Sequence, residues 1–157
     1  MESTTRWLDA DEQQAWRSYL RAVRLVDEEL RRGLEEHGLS HPEYEILVRL
    51  SEAPGRTLRM SELAFEVVNS RSRLTHTVSR LERAGWVSRR PCPDDGRGVE
   101  CHLTDEGLAV LAAAAHTHVA GVREVLVDRL AREQFLALGA TMATVANGID
   151  PGGRCTV

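Results

Sequence analysis

Residues 61–104 place two short helical patterns, a glycine and two β-prone runs in immediate succession. Leu74, Val78 and Leu81 recur at the i, i+4, i+7 spacing of one helix face, and Gly85 follows where that helix should end. The two β-prone runs flank a tip rich in Pro, Asp and Gly, which is turn chemistry. This order constrains the segment to a helix-turn-helix followed by a β-hairpin. The arms of the predicted hairpin are residues 87–90 and 99–103.

The positive charge of the chain is concentrated in the same segment. Residues 70–98 hold seven of the twenty basic residues and only three acidic residues, so this segment carries +4. The whole chain carries −4, and the remainder therefore sums to −8. Such a segregation predicts a surface that binds phosphates, although an arginine-rich helix can also be an ordinary solvated face.

Helical periodicity continues on both sides of this segment. Apolar residues at helical spacing predict a long amphipathic helix over about 10–36, ended by Gly38. Ser40 and Pro42 predict the start of a second helix, and Thr104 the start of a fifth. A sixth helix follows near the C-terminus. The predicted order ααααββαα is a mainly α fold with a small β-hairpin (α+β class), a winged helix-turn-helix.

The same pattern predicts the organisation of the chain. Three parts are expected: a helical region in two pieces, a winged helix-turn-helix domain between them, and a flexible tail. They cover 10–37 with 105–147, 41–104, and 148–157, respectively.

Composition and motifs exclude other classes of protein. No run approaches the roughly 18 apolar residues of a membrane span, and the acidic, polar N-terminus differs from a secretory signal. We therefore expect a cytoplasmic protein with no membrane partner. The three cysteines form no metal-ligand pattern, and no zinc, phosphate-loop or nucleophile motif is present. We expect no metal, no cofactor and no enzyme activity.

The polar side of the arginine-rich helix is the candidate DNA-binding surface. In a helix-turn-helix, the N-terminal part of the second helix meets base edges in the major groove, and other positions contact phosphates. Ser72 and Thr75 also fit ordinary helix-start positions, which is the alternative for those two. The predicted base-reading residues are Ser72, Arg73, Thr75 and His76. Further DNA-binding residues are predicted at the helix cap, Ser70, and at the phosphate-facing Arg80 and Arg83.

The hairpin tip carries a second candidate contact. Arg97 stands between two glycines, and a single cation on a narrow hairpin can enter the minor groove. Asp95 is too acidic to contact a phosphate. We expect it to support the wing by an ion pair with Arg97, Arg89 or Arg90.

Several motifs occur together at characteristic spacing: SELA, SRSRLTHTVSRLERAGWV, Asp-x-Arg and Leu-Thr-x-x-Gly. With them, about residues 10–147 resemble the MarR family of winged-helix transcriptional regulators. The resemblance places the family's wing Asp at Asp95 and its wing-tip Arg at Arg97. Gly96 departs from the family pattern, because many members carry Arg there, and this implies one phosphate contact fewer. The Leu-Thr-x-x-Gly motif falls on Leu103, Thr104 and Gly107.

The resemblance implies a homodimer built from the first, fifth and sixth helices. The apolar faces of these helices agree, because a winged domain alone does not need them and they must be covered; an elongated monomer is the alternative. A two-fold dimer presents two reading helices to a pseudo-palindromic operator with half-sites about one helical turn apart. The predicted interface residues are Trp7, Leu8, Trp16, Phe135, Leu138, Met142 and Val145.

The resemblance also implies a repressor that a small aromatic or phenolic effector releases from DNA. Two other functions stay open. One is a helical dimeric protein-interaction module whose basic helix meets an acidic partner. The other is a redox-sensing regulator that uses Cys92 and Cys101 on opposite arms of the hairpin, although Cys101 also fits a buried apolar position. The crevice residues for an effector, which fit an ordinary core equally well, are Tyr19, Val23, Tyr44 and Leu47.

Overall fold

The structure is a computed structural model that describes residues 5–66, 71–92 and 95–149. The predicted mainly α fold with a small sheet is confirmed. Ser70 and residues 150–157 of the predicted tail lie outside the described residues. The helices are α1 Ala10–Glu35, α2 His41–Glu52, α3 Met60–Glu66, α4 Arg71–Arg83, α5 Asp105–Val125 and α6 Arg132–Ile149. The strands are β1 Thr57–Arg59, β2 Val87–Cys92 and β3 Asp95–Leu103. Single 3₁₀ turns lie at Pro54–Arg56 and Val127–Arg129.

The sheet has one strand more than the sequence predicts. Within the described ranges it contains three antiparallel strands in the order β1–β3–β2. The element order is therefore ααβααββαα, and the predicted ααααββαα was wrong in omitting β1. Leu58 in the middle of β1 pairs with Cys101 of β3. A strand of three residues is too short to show alternation, and β1 forms because the fold brings β3 beside it.

One core joins the winged domain to the two long helices. The predicted inner face of α4, formed by Leu74, Val78 and Leu81, is buried in it. Leu34 of α1 and Leu111 of α5 belong to the same cluster. The C-terminal part of α1 and the N-terminal part of α5 are thus anchored to the winged domain. This shared core sets the position of the two long helices relative to α4.

Two turns place the hairpin and α5 against the end of α4. Gly85 has a φ of +80°, the left-handed conformation that ends a helix, as predicted. The predicted start of α5 at Thr104 is confirmed, because its hydroxyl oxygen accepts a hydrogen bond from the N–H of Gly107 at 3.0 Å. The same hydroxyl donates to the carbonyl oxygen of Gly85 at 2.8 Å, so one side chain connects both turns.

The N-terminal part of α1 and the whole of α6 leave apolar side chains uncovered. No residue of α6, which is described over its full length, is buried. On α1, Trp16 stacks on Tyr19 with ring centroids 5.6 Å apart, and both rings remain exposed. Exposed apolar side chains in these regions include Trp7, Leu8, Trp16, Tyr19, Leu20, Val23, Leu136, Leu138, Met142 and Val145. A surface of this kind marks an interaction site.

The segment Asp105–Arg129, α5 with its following turn, is by length and composition the one described segment that could cross a membrane. This corrects the expectation that no segment approaches such a span. The helix packs against α1 and α2, and its Gly107, Leu111 and Ala114 are buried. A single helix of this kind is weak evidence for a membrane, because length and composition are the only criteria it meets.

Candidate nucleic-acid interface

α4 presents a polar face opposite its buried face. Arg73, Thr75 and His76 are exposed, whereas Leu74 between them is buried. This division follows from the turn of about 100° per residue, which places the predicted reading positions away from the core. Ser72 lies in α4, but its side chain is outside the described part of the chain. Of the predicted base-reading residues, the structure therefore brings three together on the exposed side.

Arg83 continues the exposed side of α4 toward its C-terminal end. Its Nε donates to the carbonyl oxygen of Ser79 at 3.2 Å, one helical turn back. The exposed guanidinium is thus held close to the helix it belongs to. This position is compatible with the predicted phosphate contact.

Arg80, the other predicted phosphate contact, faces a carboxylate instead. Its Nε and Nη2 both donate to the carboxylate of Glu43, and Nη2 also donates to the carbonyl oxygen of Gly38 at 3.3 Å. Glu43 lies in the first turn of α2 and is 1% exposed. A bidentate pair with a buried carboxylate holds the Arg80 guanidinium toward α2 while the side chain stays 49% exposed, so its phosphate contact remains a prediction.

Hydrogen bonds compensate the burial of Glu43. The backbone N–H and the hydroxyl of Ser40 donate to its Oε2 at 2.8 and 2.7 Å. Burial raises the pKa of Glu43, but the hydrogen bonds from Arg80 and Ser40 outweigh it and hold that pKa below its ordinary value. The same pair raises the pKa of Arg80. At neutral pH the buried group is thus a charged carboxylate with matched donors.

A second ion pair links α4 to the hairpin. Nε and Nη2 of Arg89 donate to Oε2 of Glu82 at 2.9 and 2.5 Å, and the Arg89 backbone N–H donates to Oε1 at 3.0 Å. The hydrogen bonds from Arg89 lower the pKa of Glu82. The sequence suggests Arg89 as one ion-pair partner of Asp95. In the structure, the side chain of Arg89 pairs with Glu82. Asp95 and Arg97 lie on β3, but their side chains are outside the described part of the chain.

The two hairpin cysteines are not cross-strand neighbours. Cys101 pairs with Arg89, whereas Cys92 lies three residues further along β2 and pairs with Asp95. Three strand residues span about 10 Å, more than a disulfide allows between Cα atoms. Both thiols are buried, and burial raises the pKa of Cys101 to about 12. This register does not fit a cross-strand disulfide for the redox alternative, and Cys101 has the environment of an inert core thiol, which agrees with its interpretation as a buried apolar position.

The four residues predicted for an effector crevice lie in different environments in this protomer. Leu47 is a fully buried core residue, whereas Tyr19 and Val23 lie exposed on α1. Tyr44 packs on the ring of His118 with centroids 4.7 Å apart. A cavity of about 380 Å³ does lie between α1 and the start of α2. Its lining includes the charged or polar side chains of Asp27, Arg31, His41 and Arg80.

Sequence reasoning missed the acidic partners in this interface. Glu43 follows Ser40 by three residues, which is the spacing of a capping box, but no local pattern indicates its pairing with Arg80. Glu82 gives no signal beyond an acid in a basic helix. Among the described residues, no group of three or more His, Cys, Asp or Glu side chains could hold a metal ion.

Comparisons with known proteins agree on one family. The model of the MarR family matches residues 39–99. The chain is similar to the HTH-type transcriptional regulator PecS of Dickeya dadantii, with 35% identity over 104 residues that cover 65% of this chain. The match spans 62% of PecS, less than two thirds of its length.

Solved structures match over more of the chain. Sco3205, a MarR family transcriptional regulator from Streptomyces coelicolor in complex with DNA, is similar with a TM-score of 0.89 and 47% identity, covering 96% of this chain and 95% of that one. AbsC, a MarR family transcriptional regulator from the same organism, is similar with a TM-score of 0.87 and 41% identity, covering 92% of this chain and 98% of that one.

Proposed function

Because this chain belongs to the MarR family of transcriptional regulators, we propose that it regulates transcription by binding double-stranded DNA through α4 and the β2–β3 hairpin. The observation that carries the proposal is the exposed side of α4, where Arg73, Thr75 and His76 point away from a fully packed inner face. The solved relative Sco3205, described in complex with DNA, supports it. The family is one of transcriptional regulators and not of enzymes.

The contacts divide into two kinds. Arg73, Thr75 and His76 are proposed to meet base edges in the major groove, because they lie in the N-terminal part of α4. Arg83 is proposed to contact a phosphate. From the sequence alone, we also propose that Arg97 on the hairpin enters the minor groove. Arg80 is left out of the proposed contacts because Glu43 engages its guanidinium.

We further propose that the protein is a homodimer on a pseudo-palindromic operator. The support is the uncovered apolar surface of α1 and α6, which one protomer leaves in water. A second copy that covers both helices also supplies the second α4 that a two-fold operator needs. From the family resemblance we also propose a repressor that a small aromatic effector releases from DNA, and from the sequence a cytoplasmic location.

The test is selection of binding sites from random double-stranded DNA with the full-length protein. We expect an enriched pseudo-palindrome, and a binding constant for it that falls linearly on a log–log plot against salt concentration. Fluorescence anisotropy with the selected and a scrambled duplex measures both. If no sequence is enriched while the protein captures acidic polypeptides, the protein-interaction alternative replaces this proposal.

A further inference from the structure

Glu43 is the only charged side chain that is buried among the residues that the structure describes. It stands between three parts of the fold: the turn after α1, the first turn of α2, and α4. Its carboxylate accepts hydrogen bonds from Ser40 on the turn and from Arg80 on α4, while Arg80 also reaches the carbonyl oxygen of Gly38. The hydrogen bonds of the Glu43 carboxylate thus connect the turn after α1 and the start of α2 to α4, the candidate reading helix.

The buried side chains of α4 are apolar, and such contacts have no direction; the directed contacts of α4 include the Arg80–Glu43 pair and the Glu82–Arg89 pair with the hairpin. Leu74, Val78 and Leu81 hold α4 against the core at a set distance, because burial of apolar surface rewards area and not orientation. A bidentate pair between guanidinium and carboxylate does have a fixed geometry. The pair of Glu43 and Arg80 therefore restrains rotation and sliding of α4 more sharply than its apolar face does.

The bonds of Glu43 suit it to orient α4 rather than to stabilise the fold. Removing the Glu43 carboxylate from water costs about as much free energy as its attraction to Arg80 returns, so the pair adds little net stability. Glu43 alone would be strongly destabilising, because it would be a buried charge without its counter-charge. The main contribution of the pair is therefore a fixed orientation of α4, the helix that carries Arg73 and His76.

We infer that Glu43 is a positioning residue for DNA recognition: through Arg80 it sets the rotation of α4 about its axis, and Arg80 contacts no phosphate. The inference rests on the proposed function. It directs a half-exposed cation of the reading helix toward a buried carboxylate, although its place in the sequence favours the DNA surface.

The test compares the double variant E43Q/R80M with the wild-type protein. The double variant keeps the net charge, the apolar stem of Arg80 and an oxygen that accepts from Ser40, but it removes the bidentate pair. We expect it to fold, and to bind the selected operator at least about tenfold more weakly, since a small misplacement of reading groups is costly. We expect the slope of affinity against salt and the affinity for scrambled DNA to stay unchanged.

Two controls separate positioning from direct contact. R83A should lower affinity on all sequences and reduce the salt slope by about one, as loss of a phosphate contact does. R80K retains the charge but not the planar two-point geometry, and it should lose operator affinity with an unchanged slope. Because the ammonium group introduced by R80K keeps a counter-charge beside Glu43, this variant also serves if the double variant does not fold.

The outcomes are distinct. Wild-type operator affinity in E43Q/R80M, or in R80K should the double variant fail to fold, overturns the positioning role. A salt slope reduced by about one in the double variant means that Arg80 contacts a phosphate, which also overturns it. A wild-type protein that enriches no DNA sequence overturns the proposed function itself and this inference with it.

Discussion

A Cβ atom added at Gly107 would lie 2.1 Å from the carbonyl oxygen of Trp86 and 2.8 Å from the Leu103 side chain. The nearer atom belongs to the backbone and cannot swing aside. The glycine of the Leu-Thr-x-x-Gly motif therefore permits close approach between the first turn of α5 and Trp86, the third residue after α4. This contact sets how α5 leaves the winged domain.

Replacing Gly107 with Ala should destabilise the protein by about 1–3 kcal/mol, because the added methyl overpacks this contact. By helix propensity alone the same change would stabilise α5 by about 1 kcal/mol. The sign of the change in the free energy of unfolding, measured with urea, distinguishes the two effects. A variant more stable than wild type would show that α5 and Trp86 are not in contact.

Single residues of α4 should differ in what they contribute to DNA binding. R73A and H76A should change base preference inside each half-site, costing about 1–3 kcal/mol at the affected position. This follows from their exposed places in the N-terminal part of α4. Site selection repeated with each variant measures the preference, and circular dichroism checks the fold. Equal losses on every sequence would place both residues at phosphates instead.

At the scale of elements, α2 and α5 meet through aromatic side chains. The ring of His118 on α5 packs on Tyr44 and lies edge-on to His41, with centroids 4.7 and 5.8 Å apart. His41 in turn lies 4.0 Å from the carboxylate of Asp27 on α1. Burial, and then the charge of His41, lower the pKa of His118 below its ordinary value of 6.5. The junction between the helical region and the winged domain thus favours a neutral imidazole.

This junction should make stability depend on pH. Between the lowered pKa of His118 and 6.5, the unfolded chain binds more protons than the folded one, so the free energy of unfolding rises with pH. The stability is therefore full above 6.5 and is lost as the pH falls below it. Urea unfolding at about pH 7.5 and about pH 5.5 should show a smaller loss for H118Q than for wild type.

The matched control is H116Q, which replaces an exposed histidine on the same helix. It should lose as much stability between the two pH values as the wild-type protein. Should H118Q and wild type lose the same amount, the packing of His118 against Tyr44 and His41 is not what makes the protein sensitive to acid.

At the scale of the whole molecule, the uncovered surfaces of α1 and α6 decide the assembly. Removing residues 132–157 should give a monomer, whereas the full chain should sediment at about twice the protomer mass of 17.5 kDa. Because linked half-site readers gain from effective concentration, the truncation should weaken operator binding about 10²-fold or more. Analytical ultracentrifugation and anisotropy measure the two quantities.

Two further variants serve as controls for this prediction of a dimer. Removing only residues 150–157 should leave the oligomeric state and the operator affinity unchanged. L138D/M142D introduces charges at exposed positions of α6, so it should separate the dimer while the protomer stays folded. A full-length monomer that still binds the palindrome tightly would contradict the proposed assembly.

The sequence by itself determined the features that depend on neighbours a few residues apart. The inner face of α4 follows from the spacing of Leu74, Val78 and Leu81, and the end of α4 follows from Gly85, where a left-handed conformation is needed. The start of α5 at Thr104 is equally local. In each case the physical cause acts within one helical turn, so the order of residues is sufficient information.

Only the tertiary structure decided which charged and which short elements meet. Arg80 and Glu43 are 37 residues apart in sequence, and nothing nearby in the chain marks them as partners. β1 exists because β3 supplies its hydrogen bonds, and the register of β2 on β3 separates Cys92 from Cys101. A local pattern indicates that a side chain is cationic or that a short segment favours a β-strand. Its partner depends on how the core brings distant segments together, because charges and unpaired strands are satisfied by whatever the packing places beside them.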